Sequence, residues 1–200
     1  MKKTTSLHTF HSQNDTSTDL VRENLIDPAF EESFDRLTKI ATQLLKVPVA
    51  LVSVASEDDQ YFKSFVGLGM PWKEHRIAPR SPRYCRHVVN TGEPLEIIDA
   101  TKDADLKDDP VTHQMGVVAY LGIPMKLRNG ITLGSFCAID TKPHAWTEEE
   151  RSVMRELNES LMREIELRLA LKQTEIARTK AEQANARVVS ILDGMLDAGM

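Results

Sequence analysis

The sequence predicts an α+β domain with a mostly antiparallel sheet, followed by one long helix. Runs rich in β-branched residues alternate with helical segments in the order helix, hairpin, helix, strand, loop, hairpin, helix. The dipeptide Asn129-Gly130 between two such runs is a strong hairpin signal. Residues 147–193 contain no Gly and no Pro, and at about 1.5 Å per residue they form a rod about 70 Å long.

The composition limits the class of protein. Two hundred residues, 41% hydrophobic and 28% charged, suffice for one globular domain with appendages. The net charge of −5 gives no basic surface of the kind that binds nucleic acid or membranes. Residues 1–24 are polar and lack the apolar core of a secretory signal. We therefore expect a cytoplasmic protein with a flexible polar tail, to which no role is assigned.

The first predicted elements are a helix and a hairpin. Two β-rich runs, Val49–Ala55 and Tyr61–Val66, are separated by an acidic turn and predict the hairpin. The helix ends near Lys46, and its apolar stripe has steps of four and three at Phe30, Phe34, Leu37, Ala41 and Leu44.

A short helix and a short strand follow. Ser81-Pro82 has the residue types of an N-cap and a first-turn proline, which predicts a helix through Tyr84 that stops at Thr91-Gly92. A strand is predicted at Pro94–Ile98, before an Asp-rich loop.

The last part of the domain is predicted to be a hairpin that leads into the long helix. Its strands are Val117–Leu127 and Ile131–Ile139, and the second is apolar on both faces, which is typical of a strand at the centre of a covered sheet. Thr147 and Glu150 have the spacing of a capping box, so we expect the long helix to begin there.

The long helix carries a heptad seam of mostly small residues, which predicts a weak parallel two-stranded coiled coil. Its turns up to about Leu161 are expected to pack on the domain, and the remainder to project from it. A solitary solvated helix is the alternative. The seam comprises Leu167, Ala170, Thr174, Ala177, Ala181, Ala184, Val188, Ile191 and Met195.

Five fragments, in order along residues 27–160, resemble GAF domains of bacterial signalling proteins. The resemblance implies a six-stranded antiparallel sheet with dimer-forming helices on one face. On the other face it implies a pocket roofed by the helix at Ser81 and the segment Asp99–Val117. It assigns residues 25–160 to a sensory domain and 161–200 to a signalling helix that leads to an output domain outside this chain. The fragments are Val49–Val66, Gly92-Glu-Pro-Leu, Asp99-Ala-Thr, Tyr120-Leu-Gly-Ile-Pro, and Gly134-Ser-Phe-Cys-Ala-Ile-Asp140 with Trp146-Thr-Glu-Glu.

An unidentified small ligand is expected in the implied pocket. Arg80, Arg83 and Arg86 place positive charge beside it, which suits an anion, although solvated surface arginines explain the same pattern. The family's cyclic-nucleotide signature is absent. The candidate ligand-binding residues are Tyr84, Cys85, His87, Asp99, His113 and Tyr120.

The two cysteines, Cys85 and Cys137, have no C-x-x-C spacing, so they predict neither a disulfide framework nor a zinc site, and buried free thiols are the simplest interpretation. Related photoreceptors attach a bilin to a cysteine that His directly follows, whereas Arg86 stands here. Asp103 and Asp105 begin an EF-hand-like spacing that Asp108 breaks, because a Gly is required there. We therefore predict no cofactor and no metal.

The sequence thus favours a regulatory module without catalytic activity that dimerises and relays a signal along its helix. Two alternatives remain. One is a thiol-dependent enzyme like the GAF branch that reduces free methionine sulfoxide, which usually has three pocket thiols. The other is a purely structural dimerisation module.

Overall fold

The computed structural model describes residues 31–55, 60–77 and 83–197, with side chains from 32 to 187. The tail predicted for residues 1–24 lies outside these limits, and so do the side chains of the last seam positions, Val188, Ile191 and Met195. The helices are α1 (Glu31–Leu45), α2 (Trp72–His75), α3 (Cys85–Thr91), α4 (Pro110–Gln114) and α5 (Glu148–Asp197). The strands are β1 (Val49–Ala55), β2 (Gln60–Val66), β3 (Leu95–Ile97), β4 (Ala119–Lys126) and β5 (Thr132–Asp140).

The strands form one antiparallel sheet in the order β2-β1-β5-β4-β3. The central position predicted for the doubly apolar strand is confirmed by β5, which pairs with both β1 and β4. The predicted hairpins are also present, and Gly130 closes the second one at φ 89°.

The expectation of six strands is wrong for the described residues, which form five. The Asp-rich loop after β3 contributes no strand, because its backbone donors are taken up mostly by tight turns within the loop and by its own carboxylates. The Asp103 carboxylate accepts hydrogen bonds from the backbone N–H groups of Asp105 at 2.8 Å and Leu106 at 3.1 Å. Asp109 then caps α4, a helix that the sequence analysis did not predict, by accepting from Val111 N.

The predicted passage of the third helix through Tyr84 is wrong, because Tyr84 has φ 55° and ψ −125°, a backbone conformation that no helical residue adopts, and the helix α3 begins at Cys85. Ser81 and Pro82 lie outside the described residues. The predicted end is correct, and Gly92 terminates the helix in the left-handed conformation.

The two faces of the sheet are covered differently. Helices α1 and α5 cover one face with an apolar layer that includes Phe34, Phe136 and Leu161, all fully buried. The other face is covered by α3, α4 and the loops around them, and we call it the pocket face. Side chains alternate along a strand, so neighbours in β5 such as Phe136 and Cys137 serve opposite faces.

The long helix begins as predicted. The Thr147 hydroxyl accepts a hydrogen bond from Glu150 N at 3.2 Å, and Glu150 Oε2 accepts from Thr147 N at 2.8 Å. Packing on the domain continues to Ile165 and, partly buried, Leu169. This is about two turns beyond Leu161, where we expected it to end, because the apolar stripe against α1 extends that far.

Beyond Leu169 the helix is exposed on all sides as far as Arg187. In the part of the chain that the structure describes, no helix has the length and apolar character to cross a bilayer.

Candidate functional site

The candidate site lies on the pocket face, where three central strands place small polar groups among apolar ones. Ser53 of β1 is opposite Ser135 of β5, and Cys137 of β5 is opposite Gly122 of β4. Since these residues share one face, their side chains meet although they are distant in sequence.

Gly122 allows the central feature of the site. The ring of Tyr120 lies along β4 over Gly122, and a Cβ atom at position 122 would overlap the phenol. The Tyr120 hydroxyl thereby reaches Cys137 Sγ at 2.9 Å and Cys85 Sγ at 3.4 Å. The glycine in the strand therefore serves a close side-chain approach rather than flexibility.

Tyr84 holds the start of α3 against the sheet. Its positive φ is a strained conformation for a residue with a side chain, at a cost of about 1–3 kcal/mol. Two contacts compensate: the buried hydroxyl bonds Thr112 Oγ1, and the ring packs edge-on against Tyr120 with centroids 5.4 Å apart. This backbone turn directs Cys85, the next residue, toward β5.

The result is a pair of thiols. Cys85 Sγ and Cys137 Sγ are 3.4 Å apart, and neither residue is in a disulfide. Cys85 is partly exposed and lines the cavity described below, whereas Cys137 is completely buried. The two thiols therefore differ in access, although they touch.

The same contacts separate the acidities of the two thiols. The hydrogen bond from Cys137, with smaller contributions from Tyr120, Ser135 and Ser53, lowers the pKa of the Cys85 thiol to about 6 against the opposing effect of burial. Burial and the adjacent Cys85 raise the pKa of Cys137 well above its usual value. Burial likewise raises the pKa of Tyr120. At neutral pH these shifts favour one negative charge on the pair, carried mainly by Cys85, with the proton on Cys137.

A chain of hydrogen bonds continues from the thiols across the sheet. Ser135 Oγ lies 3.2 Å from Cys137 Sγ and 2.9 Å from Ser53 Oγ, and Gln60 Nε2 donates to Ser53 Oγ at 3.1 Å. Sequence analysis missed Ser53, Ser135 and Gln60. A single serine inside each of two otherwise apolar strands was the available signal.

A cavity opens beside the thiols, between the sheet and the helices α3 and α4. Its volume is about 20 Å³, roughly the space of one water molecule. Leu51, Phe62, Met115 and Val117 form its apolar wall, and Gln60 and Arg83 supply polar groups. Arg83 also lies 3.6 Å from Asp105 and 3.8 Å from Asp109, so acidic side chains already neutralise much of its charge.

The structure brings together three of the six predicted ligand-binding residues. Tyr84, Cys85 and Tyr120 line the cavity. His87 and His113 are exposed and do not line it, since each lies on the outer side of its short helix. Asp99 lies away from it as well, where its carboxylate bonds Thr101 and Lys102. Among the described residues, no group of His, Cys, Asp and Glu could hold a metal ion.

A second polar cluster joins the pocket strand to the long helix, and sequence analysis missed it too. His144 Nδ1 lies 3.0 Å from Asp140 Oδ2 at the end of β5, and His144 Nε2 lies 2.9 Å from Glu150 Oε1 in the first turn of α5. The ring stacks on Trp146 with centroids 4.2 Å apart. Burial opposes protonation, but the hydrogen bonds to the two carboxylates outweigh it and raise the pKa of His144. We call Asp140, His144 and Glu150 the clamp.

Comparison with known proteins finds relatives of this chain both in sequence and in fold. One relative is a cyclic di-GMP phosphodiesterase of Pseudomonas aeruginosa, 29% identical over 133 residues, which is 66% of this chain. The chain spans 22% of the length of that relative.

Solved structures share the fold. The PixJ GAF domain of Thermosynechococcus elongatus, in its blue-light absorbing form, has a TM-score of 0.60 at 19% identity, over 82% of this chain and 95% of that one. A domain of a two-component sensor histidine kinase protein from Sinorhizobium meliloti has a TM-score of 0.57 at 18% identity, over 74% and 99%. A type II free methionine-R-sulfoxide reductase from Thermoplasma acidophilum has a TM-score of 0.52 at 13% identity, over 74% and 94%.

These likenesses to solved structures concern the fold, and their low identities carry no activity over to this chain. Membership of the family is shown by the sequence, because the GAF domain model matches residues 29–165, which include every strand of the described sheet and most of the packed part of α5. The chain belongs to the GAF domain family.

Proposed function

We propose that this chain is a regulatory module that passes the state of its pocket along α5 to an attached output domain. The observation that carries the proposal is the continuity of α5. This helix starts at the clamp beside the pocket strand, packs on the domain as far as Leu169 and continues as an exposed rod.

The clamp supplies a physical route from pocket to helix. Cys137 and Asp140 belong to the same strand, three residues apart, so a displacement of β5 at the thiols also moves the Asp140 carboxylate. His144 is bonded to Asp140 and to Glu150, which forms part of the helix cap. A change in the pocket can thus bias the position of the first turn of α5, provided that this change stabilises one arrangement of the helix more than the other.

The size of the cavity restricts what the pocket senses. Binding sites for drug-sized ligands usually have volumes of about 300–1,000 Å³, whereas this cavity has about 20 Å³. An unidentified ligand larger than a few atoms would have to separate α3 from the sheet. Such a ligand would therefore bind a conformation different from the one described. Binding would then be coupled to a conformational change, as a signalling function requires.

The exposed part of α5 supports dimerisation with a second copy. Leu167 is 58% exposed and Leu171 is 62% exposed, and the two leucines lie one turn apart on the same side of the helix. Leu167 begins the predicted heptad seam, and it points about 200° away from Ile165, which is buried against the domain. A parallel partner helix would cover the seam without disturbing the domain.

The output domain is proposed by analogy with the relatives. The phosphodiesterase relative extends far beyond the matched region, and the Sinorhizobium meliloti domain is part of a two-component sensor histidine kinase protein. In this proposal, catalysis resides in the attached domain and not in the pocket.

Cross-linking at matched threonines tests the dimer. Thr174 and Thr179 are both exposed, and each hydroxyl bonds the carbonyl one turn before it, at 2.9 Å and 3.0 Å. In the predicted heptad Thr174 faces the seam and Thr179 faces outward. We expect Thr174→Cys to form a covalent dimer under mild oxidation and Thr179→Cys to remain mostly monomeric. Equal cross-linking of both, or of neither, would contradict a parallel seam.

The clamp variant His144→Gln distinguishes a relay from a structural dimerisation module. If the position of α5 depends on the state of the pocket through the clamp, then breaking the clamp should change the rate of cross-linking at Thr174→Cys. An unchanged rate in a folded variant would favour the structural module. Native mass spectrometry of the freshly purified chain would identify any ligand that co-purifies.

The adjacency of the thiols also favours a second candidate function, a thiol-dependent reductase of free methionine sulfoxide. Cys85 and Cys137 have the required proximity, although the cavity is small for an amino acid. Turnover of free methionine sulfoxide with a thiol reductant would support this candidate, provided that Cys85→Ser abolishes it.

A further inference from the structure

The pair of thiols, Cys85 and Cys137, has a reactivity that depends neither on the proposed signal transmission along α5 nor on dimerisation. We propose that hydrogen peroxide oxidises Cys85 and Cys137 to a disulfide. Cys85 is the thiol that reacts with the peroxide, and Cys137 is the resolving thiol that then attacks the oxidised Cys85. The product is an intramolecular disulfide on the pocket face of the GAF domain.

The geometry satisfies the first requirement, which is proximity. The sulfur atoms are 3.4 Å apart, and a disulfide requires about 2.05 Å. The approach needed is on the order of 1 Å. Cys85 is the first residue of α3, directly after the strained Tyr84, so a small shift at this turn brings the two atoms together.

The second requirement is a difference in access between the two thiols. The partly exposed Cys85 lines the cavity, whereas the completely buried Cys137 does not. An oxidant that enters from solvent therefore meets Cys85 first. The cavity has space for roughly one water molecule, which suits hydrogen peroxide much better than a methionine sulfoxide or an organic hydroperoxide.

The third requirement is a reactive form of the first thiol. Hydrogen bonds from Cys137 and Tyr120 lower the pKa of Cys85, so that the nucleophilic thiolate predominates at neutral pH. Tyr120, hydrogen-bonded to both sulfur atoms, is well placed to move protons between them.

In the first step, the Cys85 thiolate attacks one oxygen of the peroxide. An S–O bond forms, the O–O bond breaks, and the Cys85 sulfur is oxidised to a sulfenic acid while the peroxide is reduced. The departing hydroxide takes the proton of the Tyr120 hydroxyl and leaves as water, and Tyr120 recovers a proton from Cys137.

In the second step, the resulting Cys137 thiolate attacks the Cys85 sulfur. The S–S bond forms, the S–O bond breaks, and the leaving hydroxide becomes water with the proton that Cys85 first released to solvent. The sum is two thiols and one hydrogen peroxide giving one disulfide and two waters.

The test treats the full chain with hydrogen peroxide and follows the two cysteines by alkylation and mass spectrometry. We expect one disulfide between Cys85 and Cys137 that dithiothreitol reverses. Cys137→Ser should stop at a sulfenic acid on Cys85, which dimedone traps, and Cys85→Ser should leave Cys137 reduced. Tyr120→Phe keeps the ring and should slow disulfide formation about tenfold, because one hydrogen bond to the thiolate is lost.

Two further measurements test the acidity of Cys85 and the choice of oxidant. The alkylation rate of Cys85 should be nearly constant above pH 7 and fall as the pH drops through about 6. Free methionine sulfoxide at the same concentration should leave both thiols reduced. The inference is overturned if peroxide oxidises methionines while both cysteines stay reduced, if Cys85 is over-oxidised without a disulfide, or if methionine sulfoxide oxidises the pair as fast as peroxide.

Discussion

The two faces of one sheet differ in what they bury. The face under α1 and α5 is packed mostly with apolar side chains, whereas the pocket face holds a hydrogen-bonded series of two serines, two thiols and a phenol, of which only Cys85 is partly exposed. Apolar burial is favourable without any partner, but buried polar groups are tolerated only when each is satisfied. The first face therefore supplies most of the stability, and the second retains groups whose chemistry can change.

The largest expected effect comes from adjacent residues of β5 that serve opposite faces. Phe136→Ala removes a completely buried ring from the helix-covered face and should cost about 3–5 kcal/mol of unfolding free energy. Cys137→Ala removes one buried sulfur from the pocket face and should cost about 1 kcal/mol. Urea denaturation of both variants provides the measurement, and equal losses would refute the contrast between the faces.

An intermediate effect is expected where the pocket face is most crowded. Gly122→Ala places a methyl group into the ring of Tyr120 and should cost about 1–3 kcal/mol through overpacking. Because the phenol must leave Cys85, the alkylation of Cys85 near pH 7 should also slow. Gly69→Ala is the control, since a Cβ there meets no atom within 4 Å. A Gly122→Ala protein that keeps the stability and thiol reactivity of the wild type would show that Tyr120 does not need the glycine.

The smallest effect concerns the clamp, which connects the pocket strand to the helix-covered face. Since folding raises the pKa of His144, its contribution to stability is fully present below the unfolded pKa of about 6.5 and is lost as the pH rises through the folded value. We expect His144→Gln to cost about 1 kcal/mol at pH 6 and less at pH 8. Thermal melts of both proteins across this range test it, and a larger loss at high pH would contradict the assignment.

Sequence patterns predicted the parts of the fold that local periodicity determines. The doubly apolar strand became the central β5, and the capping box at Thr147 began the long helix. Periodicity assigns a residue to a face but carries no information on which distant residue lies opposite. The pairing of Cys137 with Leu51 and Gly122 therefore needed the structure.

Local backbone irregularities were equally beyond prediction. In β2 a bulge at Lys63 turns Phe62 to the pocket face while Ser64 bonds Thr38 of α1 at 3.0 Å, although strict alternation would place Phe62 and Ser64 on one side. The strained turn at Tyr84 could not be predicted either, because a tyrosine does not indicate a positive φ. Both features depend on tertiary contacts, which can stabilise a local conformation of low intrinsic propensity.

The strand order also has a consequence for how the domain folds. The hairpins β1–β2 and β4–β5 join neighbouring segments, but the contact between β1 and β5 links Ser53 to Ser135 across 82 residues. Closing so long a loop is entropically costly, so we expect this pairing to form late and to limit the folding rate. Cys137 acquires its opposite neighbour on β1 only at that step. The complete polar environment of the thiols is therefore a property of the finished fold.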